Sequence, residues 1–236
     1  MWKRILASVI VMASLAVPAV ADSSRDDDVE RIQRSEQIFN EIMSAPDKGV
    51  PQELLESAKC IAIIPGELKA AFIFGGRYGK GLVTCRTPHG WSAPVFLAIG
   101  GGSFGWQIGG SSTDIVMVVR NDRGMQSLLS DKFKIGADAT AAAGPVGRHA
   151  GASTDIKLNA EILTYSRSKG AFAGVSLDGA VVHADQSGDE ALYGPNANRK
   201  EILQGKVTVP EVAEPLVKEI ADYARGESAM NANRGW

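Results

Sequence analysis

The chain has 236 residues, and its 25 lysine and arginine residues against 27 aspartate and glutamate residues give a formal net charge of −2 at pH 7. This length suffices for one domain with a sizeable core, and the slightly acidic balance excludes a broadly basic, nucleic-acid-binding chain. The charges are unevenly spread, because no acidic residue occurs from Leu68 to Thr113, a span that contains Lys69, Arg77, Lys80 and Arg86. A local basic surface is therefore compatible with the composition.

The first 21 residues have the pattern of a secretory signal peptide. Lys3 and Arg4 precede an apolar run from Ile5 to Val17, and Ala19-Val20-Ala21 supplies the small residues of a cleavage site. The run is shorter than the roughly 20 apolar residues that a membrane-spanning helix needs. We therefore predict cleavage near Ala21 and export to the periplasm or the extracellular space, with residues 22–228 as one domain and residues 229–236 as a flexible tail.

A helix is predicted after this segment, over residues 26–43. Its apolar residues Val29, Ile32, Phe39 and Met43 share an arc of roughly 80° at about 100° per residue, and polar residues fill the other side. Such a helix packs on a core or lies in a membrane interface; its acidic start and its lack of a lysine- and arginine-rich face favour core packing. A shorter helix is predicted over residues 51–59, with a proline at its first position.

Between Cys60 and Asp185 the chain has the pattern of an antiparallel β domain. Short runs rich in valine, isoleucine, phenylalanine and tyrosine, such as APVFLAIG and DIVMVVR, alternate with glycine, asparagine, aspartate or serine. Asp178-Gly179 predicts a two-residue hairpin between VSL and AVV. Helices are predicted near RGMQSLLSD, at NRKEILQG and at PEVAEPLVKEIADYA. The predicted fold class is α+β, with a mainly antiparallel β core, curved or barrel-like, and flanking helices at the N- and C-terminal ends.

Cys60 and Cys85, the two cysteines, lie in the strand-like runs CIAIIP and GLVTC. In an oxidising compartment an even pair suggests a disulfide, and the two runs suit neighbouring strands of an antiparallel sheet. A bridge that closes this loop would contribute about 3 kcal/mol in the chain-entropy model. The alternative is two buried free thiols.

The stretch GGGSFGWQIGG, residues 100–110, has the spacing of two enzyme motifs. Gly100-x-Gly102-x-x-Gly105 matches a dinucleotide-binding fingerprint, and Gly101-x-Ser103-x-Gly105 matches a nucleophile elbow. Both motifs need a strand, a sharp turn and then a helix, whereas the strand-like run DIVMVV comes next here. We therefore expect these glycines to let strands bend or approach one another closely.

Catalysis and metal binding receive little support from the remaining residues. A serine hydrolase that uses Ser103 is an alternative, because Asp155 or Asp178 and then His183 follow it in the chain order of that class. The three histidines occur singly, without a second ligand at metal-binding spacing. We therefore expect neither a metal nor a cofactor.

Several long runs together resemble the SYLF domain: CIAIIPG, GGRYGKGLVTCR, GWSAPVFLAIGGGSFGWQIGGSSTDIVMVV and FKIGADATAAAGPVGRHAGASTDIKLNAEILTYSRSKGAFAGVSLDG. The likeness is continuous and in order, over about residues 27–225. The resemblance implies a lipid-binding module without catalytic activity, with a β-rich core and flanking helices. Eukaryotic members of this family bind phosphoinositides and, in some cases, actin. We do not expect the actin-linked activity here, because the sequence lacks the partner-binding domain that accompanies it there and an exported chain would not meet actin.

The acid-free span supplies the candidate lipid-binding residues. In GGRYGKG, glycines expose the backbone around two cations, and the tyrosine ring suits a membrane interface. Each cation near an anionic surface contributes about 1 kcal/mol, so three or four give weak, salt-sensitive attachment. The predicted set is Arg77, Tyr78, Lys80, Arg86, Arg148, Arg167 and Lys169. The expected partner is an anionic phospholipid or membrane surface; a structural envelope protein without a small ligand is the remaining alternative.

Overall fold

The computed structural model describes residues 19–44, 49–71, 74–104, 109–146, 160–168 and 171–226. These residues form an α+β fold, in which a strongly curled, mainly antiparallel sheet makes a half-barrel with helices from both ends of the chain. The predicted fold class is therefore confirmed.

The described helices are α1 (Ala19–Met43), α2 (Gln52–Glu56), α3 (Asp122–Leu129), α4 (Gln186–Tyr193), α5 (Arg199–Leu203), a 3-10 turn (Glu211–Ala213) and α6 (Glu214–Ala224). The strands are β1 (Cys60–Ala71), β2 (Phe74–Thr87), β3 (Gly90–Trp91), β4 (Val95–Phe104), β5 (Gly109–Val119), β6 (Lys132–Lys134), β7 (Ala141–Ala143), β8 (Ile162–Ser168), β9 (Ala171–Gly174) and β10 (Val181–Ala184). None of the described helices is both long enough and apolar enough to cross a bilayer.

The sheet has the order β6-β10-β4-β2-β1-β5-β8-β7, with β3 paired to β2 and β9 paired to β8. The β7–β8 pair is parallel, and the other pairs are antiparallel. β1 lies at the centre, between β2 and β5, and its register shifts near Gly66. The β1–β2 hairpin therefore separates β4 from β5, although these two strands follow each other in the chain.

Both faces of the central strands are buried. Ile61 and Ile63 belong to a core with α1, α2 and α6, whereas Ala62 and Ile64 belong to a second core with α3 and α5. A strand that is covered on both faces has no polar side, so CIAIIP and APVFLAIG have little alternation. α1 contributes buried Ile32, Ile38, Phe39 and Ile42 to the first core, which confirms core packing for this helix.

The disulfide between Cys60 and Cys85 is present. The two residues are register partners on β1 and β2, with their Cα atoms 4.0 Å apart and their sulfur atoms 2.05 Å apart. Both cysteines are fully buried in the second core. The bridge therefore joins the two central strands, as the sequence predicted, and excludes two free thiols.

Three local predictions differ from the structure. The Asp178-Gly179 turn is present, but the predicted hairpin is wrong: the Gly179 amide donates to the Ile135 carbonyl oxygen, and β10 pairs with β4 and β6. α1 begins at Ala19, so the acidic residues predicted at its first turn lie within it. α4 was not predicted, because its sequence QSGDEALY contains a glycine in the helix interior.

Two glycines permit close packing: Gly188, which the sequence analysis did not single out, and Gly101, which lies in the glycine-rich stretch. A Cβ at Gly188 in α4 would lie 2.9 Å from the Phe96 ring, so its absence lets this helix approach β4. A Cβ at Gly101, in the glycine-rich stretch, would lie 3.2 Å from the Cα atom of Ala180. The expectation of close approach in that stretch is therefore confirmed at Gly101.

Candidate functional site

Residues 105–108 lie outside the described residues, and the strands on either side of them match neither enzyme motif. β4 extends to Phe104 and β5 begins at Gly109, so four residues separate the two strands, too few for the helix that both motifs need. Ser103 is the register partner of Gly75, whereas His183 is the partner of Ala98. Five positions along β4 correspond to about 16 Å, beyond the reach of a general base.

The structure also gives no support to Asp155 or Asp178 as the acidic residue of the proposed Ser103 hydrolase. Asp178 is exposed and accepts a hydrogen bond from Ser176, and Asp155 lies outside the described residues. The arrangement of Ser103, Asp178 and His183 therefore does not support a catalytic triad.

Two of the predicted cationic residues are used inside the fold. The Arg77 side chain is only 11% exposed, and its Nε lies 3.6 Å from Oε1 of buried Glu67. The Arg86 guanidinium donates to the carbonyl oxygens of Ala58 and Leu55, at 3.0 and 3.1 Å, and lies 4.9 Å from the centre of the Trp91 ring. Burial lowers the pKa of Arg86. Arg77 therefore links β2 to β1, and Arg86 links β2 to α2 and the residues that follow it.

Arg167 is also paired. Its Nε and Nη2 donate to Oδ2 of Asp114 at 3.1 and 2.8 Å, and its Nη1 donates to Glu41 of α1. Arg148 and Lys169 lie outside the described residues. The continuous cationic face expected from the sequence is therefore not formed by Arg77, Arg86 and Arg167, because internal partners hold their guanidinium groups.

Tyr78 and Lys80 lie in a different setting, at a notch between α1 and the β1–β2 hairpin. Leu68 and Tyr78 are register partners on β1 and β2, and their side chains are 61% and 51% exposed. The notch has a volume of about 290 Å³, and α1 contributes Arg31 and Arg34 to its wall. Two apolar side chains in contact with solvent thus lie next to three cations.

The cations of the notch differ in their partners. Lys80 Nζ lies 2.7 Å from Oδ2 of Asp185, and Arg31 pairs with Asp28. Burial opposes ionisation of Asp185, but hydrogen bonds from Lys80 and Ser187 outweigh it and lower the pKa of this carboxyl.

Arg34 is exposed and has no ion-pair partner within the described ranges. Asp27 and Glu30, also on α1, lie at the same notch. An anionic group at the notch could therefore pair with Arg34 directly, whereas it would compete with Asp185 for Lys80.

Neither Arg34 nor Leu68 was among the predicted binding residues. Arg34 lies on the polar side of α1, where its charge resembles any solvated charge, and Leu68 resembles a core residue of a strand. The β1–β2 register, which places Leu68 opposite Tyr78, is the feature that could have revealed the exposed pair.

Two carboxyl groups outside the notch have raised pKa values. Burial raises the pKa of Asp189 to about 6, despite a hydrogen bond from the Phe96 amide and the nearby Arg199 guanidinium. Burial, together with repulsion from Glu36 and Asp222, raises the pKa of Glu219 to about 7. Both groups bind protons more tightly in the folded chain than in the unfolded chain, so folding is favoured at lower pH by each.

We expect Glu219→Gln to stabilise the protein at about pH 8 and to have little effect at about pH 5. The glutamate is ionised and repelled at the higher pH, and its stabilising contribution is lost as the pH rises through its folded value near 7. Urea unfolding of both proteins at several pH values measures the difference. A stability difference that does not change with pH would contradict the raised pKa.

The geometry defines a class of protein: an α+β half-barrel covered by helices on both faces, with a surface notch lined by cations and exposed apolar side chains. Sequence comparison then gives the family: the model described as "Ysc84: Las17-binding protein actin regulator" matches residues 100–223. The chain belongs to this family, which is the SYLF family that its residues resemble.

Relatives in yeast and humans support this assignment. The chain is 36% identical over 189 residues to "Protein YSC84" of Saccharomyces cerevisiae, which is 78% of this chain and 40% of that protein. It is 34% identical over 200 residues to "LAS seventeen-binding protein 3" of the same species, 83% of this chain and 43% of that one. It is 35% identical over 188 residues to human "SH3 domain-containing YSC84-like protein 1", 78% and 54% of the two chains. The chain thus spans about half, or less, of the length of these relatives.

Proposed function

We propose that this chain is a non-enzymatic binding module that attaches to anionic phospholipid through the notch between α1 and the β1–β2 hairpin. Cleavage near Ala21 and export to the periplasm or the extracellular space are part of the proposal. The Las17 binding in one relative's name and the actin regulation in the family's description are not proposed for this chain.

The observation that carries the proposal is the exposed pair Leu68 and Tyr78 beside Arg34 and Lys80. Large apolar side chains on a protein surface lose contact with water when they enter the interfacial region of a bilayer. A tyrosine ring suits this region, because its body is apolar and its hydroxyl is polar. The pair would therefore enter the head-group layer from the side of the sheet that carries α1.

The charges of the notch fit a phosphate group at the same depth. Arg34 has no ion-pair partner among the described residues, and its planar guanidinium can donate two parallel hydrogen bonds to phosphate. Lys80, 37% exposed, would exchange part of its contact with Asp185 for the head group. Since each cation near an anionic surface contributes about 1 kcal/mol, the predicted attachment is weak and salt-sensitive.

Co-sedimentation with vesicles tests the proposal. We expect the protein to pellet with vesicles that contain phosphatidylglycerol and not with pure phosphatidylcholine, and to be released by about 0.5 M salt. Arg34→Glu and the double change Leu68→Ser/Tyr78→Ser should each reduce the bound fraction several-fold, because one removes the phosphate contact and the other the apolar contact.

Lys200→Glu is the matched control. Lys200 is exposed on α5, which packs on the opposite face of the sheet, so this charge reversal should leave pelleting unchanged. Circular dichroism spectra identical to wild type would show that the variants are folded. Equal pelleting of wild type, Arg34→Glu and the double variant would overturn the proposed site, and no pelleting of wild type at low salt on any anionic lipid would overturn the proposed function.

A further inference from the structure

A second surface feature lies farther along α1, at a groove of about 1080 Å³ between α1, α6 and the β2–β3 turn. Apolar and aromatic side chains form part of its wall, among them Trp91, Val209, Val217 and Tyr223. Trp91 and Val217 are each 8% exposed, so they belong to the first core and present only an edge to the groove. The Tyr223 ring is held edge-on against Phe39, with ring centres 5.7 Å apart. The groove therefore has a preformed, rigid apolar base.

Carboxylates surround this base. Five acidic residues line the groove: Glu36 from α1, Glu211 and Glu214 from the start of the C-terminal helical segment, and Glu219 and Asp222 from α6. Two cations line it as well, Lys218 and Arg225, and Arg225 is already paired with Asp222 at 2.6 Å. Negative charge thus exceeds positive charge around the groove.

Apart from the Asp222–Arg225 pair, four carboxylates and one lysine, Lys218, line the groove. Glu36 and Asp222 repel Glu219 and, with burial, disfavour its ionised form. In the described ranges, no three acidic, histidine or cysteine side chains are arranged to hold a metal ion. A bound metal is therefore a poor match, whereas several separate cations, spaced along a chain, match the spread of the carboxylates.

We propose that this groove docks a lysine- and arginine-rich segment of a partner protein. Guanidinium and ammonium groups would pair with the carboxylates at the rim, and the aliphatic stems that carry them would lie on the Trp91 and Tyr223 side of the groove. Apolar residues between the basic ones would contact Val209 and Val217.

The groove and the lipid notch have opposite electrostatic character. The notch is bordered by residues 27–34 of α1, and the groove by Glu36 and Asn40 of the same helix. An anionic membrane would bind α1 at the notch and would repel the carboxylates of the groove. The groove would therefore stay accessible to the protein partner. The notch and the groove share no lining residue, so the docking proposal does not depend on the proposed lipid function.

Fluorescence anisotropy with two labelled peptides tests the inference. One is a peptide of about 12 residues that alternates pairs of lysine or arginine with leucine, and the other has glutamate in place of each basic residue. At about pH 8, where Glu219 is ionised, the basic peptide should bind and the acidic peptide should not, and higher salt should weaken the binding.

The double variant Glu36→Gln/Glu219→Gln should weaken binding of the basic peptide about tenfold, because two charge-assisted contacts are lost without a change in shape. Glu201→Gln is the matched control, since Glu201 is exposed on α5 and outside the groove, and should bind as wild type. The double variant should still pellet with anionic vesicles. Equal binding of both peptides, or equal affinity of wild type and the double variant, would overturn the proposal.

Discussion

Asp189→Ala is expected to lower the free energy of unfolding by about 3–5 kcal/mol, because it leaves a buried arginine without its counter-charge. Asp189 is 3% exposed and accepts a hydrogen bond from the Phe96 amide at 2.6 Å. Arg199, whose side chain is 11% exposed, lies 3.2 Å from Asp189 Oδ2 and donates to the Phe96 carbonyl oxygen at 2.5 Å. The pair thus binds both backbone groups of Phe96 in β4, next to the point where the pairing of β4 with β10 ends, and the Phe96 carbonyl oxygen also accepts a hydrogen bond from the Asp185 amide at 3.1 Å.

Urea unfolding at about pH 7 measures this loss. Asp189→Asn keeps an acceptor for the Phe96 amide and should cost less than the alanine change. Glu201→Gln changes an exposed pair with Lys206, 3.7 Å apart, and should cost less than about 1 kcal/mol. A cost for Asp189→Ala as small as that of Glu201→Gln would show that the buried pair does not stabilise the fold.

Reduction of the Cys60–Cys85 disulfide is expected to lower the free energy of unfolding by about 3 kcal/mol, since the bridge closes a loop with a sequence separation of 25 residues. The sulfur atoms are buried between β1 and β2, so reduction at native conditions should be slow without denaturant. Reduction in denaturant followed by refolding in reductant prepares the sample, and thiol alkylation with mass spectrometry confirms its state.

The variant Cys60→Ala/Cys85→Ala separates the bridge from other effects of the reductant. Its unfolding midpoint should be the same with and without reductant, whereas the midpoint of wild type should fall on reduction. Identical midpoints for oxidised and fully reduced wild type would contradict a stabilising role of the bridge.

The site was predictable only in part. Tyr78 and Lys80 were recognisable because GGRYGKG combines cations with an amphipathic ring, and both lie at the notch. Arg77, Arg86 and Arg167 carry the same charge in the sequence, but their use depends on the groups that lie opposite them. Glu67, the carbonyl oxygens of Ala58 and Leu55, and Asp114 face them only after the strands have paired.

The same holds for Arg34 and Leu68 at the notch and for the carboxylates of the groove. Each of these side chains is unremarkable in its own run of sequence. Their possible role depends on neighbours from other elements, such as Tyr78 opposite Leu68 or Glu36 near Glu219. A charge or an apolar side chain on a surface becomes a candidate site only when its surroundings are known.

Local patterns determined the elements of this protein. The 3.6-residue periodicity of α1 and the β-branched runs of the strands rest on interactions between near neighbours, so the helix and the β-rich core were predictable. The disulfide was predicted from the even number of cysteines and from their places in two strand-like runs. Tertiary structure decided the features that depend on pairing between distant segments. The Asp178-Gly179 turn does not connect a hairpin, because β10 pairs with β4 and β6. α4 includes Gly188 in its interior, because the helix packs on Phe96 there. Such choices depend on free energy gained across the sheet, and that gain exceeds the local preference of a short segment.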